Sequence, residues 1–379
     1  MRVMYIAPRF HTNQIGVIKG WIAHGDEVCF VSHYEGKIED HSVIEPIILG
    51  YSKLFQIFHF FYTKILFSKK PNAGDIKLKC GFPPMGKLKR VMDQFEPELI
   101  ILRERSVYSI CAFLQSKRRK IPTILYNQSP VWEEEIKDDL AHRLVNALSP
   151  ASRMTPVMGT QKEGKVKAQQ VYFIPFVMEP RFSPEEKRKL EKKKRIEIFA
   201  IGKYEERKNH RMLVEVIREL RRSYPIHLTI AGECSTRFHQ EYYGNLERVL
   251  KEQDLEESIT LWKNLNKEEI EECYKGADIF VIPSTKEPAS ISQLEAMAFS
   301  LPVICSDKNG TACYVEEGVN GFLFKDNDRA SLQEKLDTLL KNENRDLLGE
   351  KSYHFIKEKY SFIHYYNGIK EILENQQDK

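Results

Sequence analysis

Short apolar runs alternate along the chain with segments whose apolar residues recur every three or four positions. Met1–Ala7 (MRVMYIA) reads as a buried strand, Gln14–His24 as a helix and Glu27–Ser32 as a second strand. Leu99–Leu102 and Thr123–Tyr126 are two more strands, with the helical pattern of Val107–Lys117 between them, and Val171–Pro175 continues the series. Strands alternating with helical stretches of about 10–15 residues imply right-handed crossovers and a parallel sheet.

The pattern restarts after a polar run, EEKRKLEKKKR, from Glu185 to Arg195. Such a run is most simply a solvated joint. Strands are predicted at Ile196–Ile201, His227–Ala231, Ile259–Trp262, Ile279–Pro283 and Pro302–Cys305, with Gly318–Phe324 as a turn and short strand. Helices are predicted at His210–Arg222, Leu246–Gln253, Lys267–Gly276, Ser292–Phe299, Ser331–Lys341 and Ile363–Glu374. The expectation is an α/β protein of two doubly wound units: residues 1–178, then 179–360, with 361–379 as a helix crossing back to the first unit. Open α/β sheets bind ligands beyond the C-terminal ends of their strands, so a cleft between two such units is the place to look for chemistry.

Composition narrows the classes. At roughly 150 residues per domain, 379 residues suit two domains. A content of 42% hydrophobic and 30% charged residues excludes a disordered or fibrous chain. No stretch offers the roughly 18 apolar residues of a spanning helix. The opening MRVMYIAPRF lacks the long apolar core and cleavage site of a signal peptide, so a cytoplasmic protein is expected. The seven cysteines include no CxxC pair and are read as reduced thiols without a zinc site. A net charge of +4 is too mild to indicate nucleic acid, and none is expected as a partner. Neither GxGxxG after a first strand nor GxxxxGK[ST] occurs, which argues against a dinucleotide dehydrogenase and a P-loop NTPase.

Three features of the second half sit at strand ends. The first is Gly202-Lys203-Tyr204-Glu205-Glu206-Arg207-Lys208-Asn209-His210. Gly202 permits close backbone approach, and Arg207 with Lys208 supplies the positive charge a diphosphate needs. Two exposed basic residues at a helix start are the plain alternative. The second runs from Glu287 through Pro288, Ala289, Ser290 and Ile291 to Glu295, placing two carboxylates eight residues apart at the start of a helix, whose free N–H groups favour anions. Ser292-x-x-Glu295 also fits a capping box, so Glu295 has both a ligand reading and a helix-start reading. The third is Asp307-Lys308-Asn309-Gly310-Thr311, a cradle for phosphate or sugar or an ordinary turn.

In order and spacing, IFAIGKYEERKNHRMLVEVI, LTIAGE, ADIFVIPSTKEPASISQLEAMAFSLPVICS and GVNGFLF resemble glycosyltransferase family 4, a retaining family with the GT-B fold of two Rossmann-like domains facing each other across a cleft. The likeness spans about Ile196 to Phe324. MRVMYIAP, FEPELIILRE, IPTILYNQS and FIPFVMEPRFSP resemble the family more loosely. The resemblance implies a nucleotide-sugar co-substrate, a uridine one for preference, and no separate cofactor or metal. It implies that Arg207 and Lys208 neutralise the donor diphosphate, that Glu295 holds the ribose hydroxyls and that Glu287 contacts the transferred sugar. Ala289, Ser290 and Ile291 would offer backbone N–H groups, and Gly202 would let the loop close over the donor. The chain departs from the family pattern in three places. Ser290 stands where the family usually has Gly. Asn127 and Gln128 follow the Thr123–Tyr126 strand, where the family often has His. Only Gly16 remains of the usual Gly-Gly pair in the first loop. Gly16, Asn127 and Gln128 are therefore the candidates on the acceptor or sugar side. One Asp-x-Asp occurs, Asp326-Asn327-Asp328, and is assigned to capping or solvation rather than to a metal.

Tyr51–Lys70 reads YSKLFQIFHFFYTKILFSKK. Leu54, Phe55, Phe58, Phe61, Tyr62, Ile65 and Leu66 fall on one helical face, with Lys53, Lys64, Lys69 and Lys70 off it or at its end and Phe60 and Phe67 as surplus aromatics. Two readings stand: an interfacial helix on an anionic cytoplasmic leaflet, or a helix packed on the first sheet. The expected activity is transfer of a hexosyl or N-acetylhexosaminyl group to a growing glycan or lipid-linked acceptor, as in capsule, exopolysaccharide or lipopolysaccharide assembly. The alternatives are a small soluble acceptor and an inactive nucleotide-sugar-binding scaffold.

Overall fold

The computed structural model describes residues 1–36, 41–62, 77–78, 80–104, 106–128, 147, 151–168, 171–191 and 194–377. Two parallel sheets organise the chain. The first contains β1 (Arg2–Ala7), β2 (Glu27–Ser32), β3 (Ile47–Ile48), β4 (Leu99–Arg103), β5 (Thr123–Tyr126), β6 (Ser152–Thr155) and β7 (Val171–Phe173), in spatial order β3-β2-β1-β4-β5-β6-β7. The second contains β8 (Ile196–Ile201), β9 (Ile226–Gly232), β10 (Ile259–Lys263), β11 (Ile279–Ile282), β12 (Val303–Ser306) and β13 (Gly321–Phe324), in order β10-β9-β8-β11-β12-β13. These are the two Rossmann-like units of a GT-B fold.

Apolar content explains why the central strands show no polar alternation. All four residues of β11 are buried, as a parallel sheet covered on both faces requires. Successive side chains still point to opposite faces. In β1, Val3 and Tyr5 join one core with α1 (Ile15–Ala23), while Met4 and Ile6 join another with α2 (Lys53–Phe61), α3 (Met85–Phe95) and α4 (Val107–Arg118). In β8, Ile198 and Ala200 face a core with α7 (His210–Leu220), α8 (Arg237–Glu252) and α11 (Arg329–Lys341). Phe199 faces the other core, with α10 (Ile291–Ala298) and α12 (Arg345–Lys359). The other helices among the described elements are α5 (Glu163–Ala168), α6 (Pro184–Arg188), α9 (Lys267–Gly276) and α13 (Phe362–Gln377).

Helix α13 packs on the first sheet's side of the molecule. Tyr365, Ile369 and Ile372 are buried with Tyr5, Ile18 and Trp21. The Trp21 indole N–H donates to the Tyr5 hydroxyl at 2.8 Å, which lies 3.0 Å from the Tyr365 hydroxyl. Gly20 of α1 is obligatory at this crossing: a Cβ there would sit 2.1 Å from the Phe362 ring.

Several elements escaped the pattern. β3 is two exposed residues on a sheet edge, and β6 (Ser-Arg-Met-Thr) has no apolar run. Helix α12 reads RDLLGEKSYHFIKEK, whose charges and central Gly hide its buried Leu348, Phe355 and Ile356. Helix α3 buries only Leu88 and Met92. Helix α8 starts at Arg237 rather than near Leu246, because Thr236 caps it by accepting from the His239 N–H. Part of the polar joint is also helical: α6 opens on a capping box of Ser183 and Glu186. In the aromatic stretch, α2 covers Lys53–Phe61 and is capped by Ser52. Lys64, Ile65, Leu66, Phe67, Lys69 and Lys70 lie outside the described residues.

Candidate active site

In the second sheet the strand order reverses between β8 and β11, which pair in parallel at Ile279 with Ile198 and Phe280 with Phe199. The loops after these two strands therefore flank the switch point, where doubly wound sheets hold their ligands. The loop after β8 carries Gly202 through Asn209, and the loop after β11 carries Thr285 through Ser290.

The two loops meet through charge. Glu287 is 5% exposed, and its Oε2 accepts from Lys208 Nζ at 2.5 Å and from Arg207 Nη1 at 2.7 Å. Arg207 Nη2 also donates to Glu205 Oε1 at 3.0 Å. One buried carboxylate oxygen thus collects two cations. A buried carboxylate without them would be several kcal/mol less stable. The Arg207 side chain remains 41% exposed, so the cationic cluster opens to solvent. Beneath it, a Cβ on Gly202 would touch the Lys208 side chain at 3.0 Å, so the glycine lets the lysine stem lie flat on the loop.

The loop geometry is held from below. Lys286 adopts φ 45° and Asn209 φ 53°, left-handed conformations that a Lys adopts only where its surroundings enforce them. Asp326 enforces the first by accepting from the Lys286 N–H at 3.4 Å and the Ser306 hydroxyl at 2.7 Å. Asn327 accepts from the Asn209 amide at 3.2 Å, and Asp328 caps α11 through the Ser331 N–H. The Asp-x-Asp is thus a set of loop supports and a cap. Among the described residues no group of three His, Cys, Asp or Glu side chains is arranged to hold a metal ion.

Glu295 lies apart from this cluster. The capping box expected of Ser292 and Glu295 does not form: α10 begins at Ile291, which puts Ser292 inside the first turn, and Ser290 at the cap position makes no side-chain cap. Glu295 instead accepts from the Tyr274 hydroxyl at 3.0 Å. Burial pushes the Glu295 carboxyl above its usual range and the Tyr274 bond pulls it back. Ala289, Ser290 and Ile291 lead into the first turn of α10, whose N–H groups have no partners within the helix. The cradle suggested for Asp307–Thr311 is filled by the protein itself. Asn309, Thr311 and Gln293 are fully buried, and the Gln293 amide donates to the Thr311 carbonyl at 2.8 Å while the Thr311 hydroxyl lies 2.8 Å from Gln293 Oε1.

On the other sheet's side, Gly16 lies in the first turn of α1, where a Cβ would lie 2.7 Å from the Val177 carbonyl oxygen of the interdomain segment. The Asn127 N–H donates to the Met154 carbonyl at 3.0 Å, and the Gln128 amide donates to the Tyr126 hydroxyl.

Two residues here carry no role in the sequence reading. Tyr274, at the end of α9, gives no motif signal. His210, the first residue of α7, is 1% exposed and lies beneath the loop after β8. Burial first, then the neighbouring Lys208 ammonium, lower its imidazole to about 4, so it stands neutral under the cationic loop.

Known proteins resemble the chain in this region and in its fold. Residues 182–361 match the family described as glycosyl transferases group 1. An uncharacterized glycosyltransferase of Haemophilus influenzae is 29% identical over 192 residues, 50% of each chain. The amylovoran biosynthesis glycosyltransferase AmsK of Erwinia amylovora is 30% identical over 148 residues, 36% of this chain and 34% of AmsK. These matches span half or less of the relatives' own lengths. Among solved structures, HepE of Anabaena in complex with UDP superimposes with a TM-score of 0.74 at 14% identity, over 99% of this chain and 100% of HepE. Residues 182–361 thus match the glycosyl transferases group 1 model, and over its whole length the chain has the GT-B fold.

Proposed function

We propose that this chain is a retaining glycosyltransferase. It moves a hexosyl or N-acetylhexosaminyl group from a nucleoside-diphosphate donor, preferably a UDP-sugar, to a growing glycan or lipid-linked acceptor in bacterial surface polysaccharide synthesis. The observation that carries the reading is the convergence of Arg207 and Lys208 on buried Glu287 at the switch point. The UDP in HepE and the amylovoran role in AmsK's name support the donor and pathway classes.

In this reading the donor diphosphate lies over Arg207 and Lys208 and the first-turn N–H groups near Ala289, Ser290 and Ile291. Glu295 holds the ribose hydroxyls, and Glu287 meets the sugar. The bond from the anomeric carbon to the β-phosphate oxygen breaks, and its electron pair leaves with the diphosphate. The acceptor oxygen bonds to the same face of that carbon, and its proton passes to the departing phosphate. The charge developing on the leaving group is what most needs stabilising, and two preorganised cations do this without a metal ion.

The acceptor side falls to Gly16, Asn127 and Gln128. A peripheral position on the cytoplasmic face of the membrane is supported by α2. It buries Phe55 but exposes Leu54, Ile57, Phe58, Phe60 and Phe61. No described helix is long and apolar enough to cross a membrane.

The test is a panel of UDP-, GDP- and ADP-sugars, read by thermal shift and by slow donor hydrolysis, with Lys208→Ala and Glu287→Gln beside the parent chain. One donor that stabilises and is hydrolysed, with hydrolysis lost in both variants, is the expected result. Failure of every donor to bind overturns the reading, and binding without turnover in the presence of lipid-linked acceptors moves it to a scaffold.

A further inference from the structure

One tyrosine ties the Glu287 loop to the first sheet. Tyr314 ends the short 3-10 turn Gly310–Tyr314 and is 1% exposed. Its hydroxyl donates to the Pro156 carbonyl at 2.8 Å, just past β6, and accepts from the Phe176 N–H at 2.9 Å, just past β7. At the other end of the turn, the Gly310 N–H donates to the carbonyl of Glu287 itself at 2.8 Å, while the Gly310 carbonyl accepts from the Gly159 N–H at 2.9 Å. Phe176 adjoins Val177, whose carbonyl oxygen is the atom pressed against Gly16. An unbroken set of contacts therefore runs from Glu287 through the Gly310–Tyr314 turn to the Gly16 loop of the other domain.

We infer that Tyr314 is a positioning residue: its hydroxyl fixes the Gly310–Tyr314 turn, and with it Glu287, against the first domain. A hydroxyl suits this task because it satisfies a carbonyl and an N–H at once. Both partners are buried main-chain groups with no other place to turn, so the position tolerates little drift. The ring is set by aromatic contact with Tyr360, centroids 4.7 Å apart, and with Phe176 at 6.4 Å. Removing only the hydroxyl therefore leaves the packing and unlocks the turn. The role in turnover rests on the transferase reading above. The positional role does not.

The test is Tyr314→Phe, with Tyr224→Phe as the control. The Tyr224 hydroxyl donates to Asp337 at 2.6 Å wholly within the second domain. Hydrogen exchange is expected to quicken at least fivefold in residues 171–178 and 284–290 of Tyr314→Phe, with β8 and β11 unchanged. Donor hydrolysis is expected to lose about tenfold in kcat, with KM for the donor within twofold. The control should move neither. Unchanged exchange at 284–290, or a uniform rise across both sheets, overturns the inference. A parent chain that turns over no donor removes the transferase reading, and the exchange comparison still decides the role of Tyr314.

Discussion

At the scale of single residues, the site is a balance of buried charge. Lys208 and Arg207 share Glu287, and only Lys208 is largely covered. Lys208→Ala removes one charge-assisted bond of about 1.5–3 kcal/mol, and titration calorimetry should show UDP affinity about tenfold lower or worse. Unchanged affinity would exclude Lys208 from the phosphate site. Acid sensitivity also belongs to single residues. His33 is buried against Tyr108, ring centroids 3.6 Å apart, and burial lowers it to about 3. His210 is lowered to about 4. Both folded values lie below the unfolded value of about 6.5, so the unfolded chain binds the extra protons. Stability is then flat above about pH 6.5 and falls below it, each histidine contributing about 1.4 kcal/mol per pH unit until its folded value is reached. Urea midpoints from pH 7 to 4.5 should show that fall, and His33→Gln should flatten it. The charged pair Arg207 and Lys208 was legible in the sequence, because cations beside a glycine at a strand end form a local signal. Tyr274 and Tyr314 were not, because their partners lie 21 and 158 residues away.

At the scale of elements, α2 is covered at one residue and open at most of its other apolar positions. Ser52 starts it, Phe55 anchors it against Tyr51 and Phe82, and five large apolar side chains stay outside. Single exposed apolar residues are ordinary, but five on nine residues form a patch. Phe58→Ser combined with Phe61→Ser should lower co-sedimentation with vesicles containing anionic lipid several-fold and leave the melting temperature within about 2 °C. Equal sedimentation of both chains would assign the patch elsewhere. The helical period found this element because the pattern is local. It could not rank the two faces, since which one is covered depends on Tyr51, Phe82 and the first sheet.

At the scale of the whole molecule, the described residues join the two domains through the Gly310–Tyr314 turn and through α13 packed on α1 and the first sheet. The α13 fastening depends on Gly20. Gly20→Ala drives a methyl into Phe362 and should cost about 1–3 kcal/mol in urea unfolding. Adding Phe362→Ala should recover part of that loss, because the two residues share one contact. Additive losses would show that the clash is relieved elsewhere.

The alternation of apolar runs was enough to determine two parallel α/β units, because each strand and helix is selected by its own short pattern. The residues after strand ends were enough to single out Gly202, Arg207, Lys208 and Glu287. Tertiary structure alone decided that Glu287 collects both cations on one oxygen, that Glu295 bonds Tyr274 rather than capping its helix, and that Asn309 and Thr311 fill their own cradle. The physical reason is the same in each case. A capping box or a turn can be written into neighbouring residues, but whether it forms depends on buried partners that only the packed chain brings within hydrogen-bond distance.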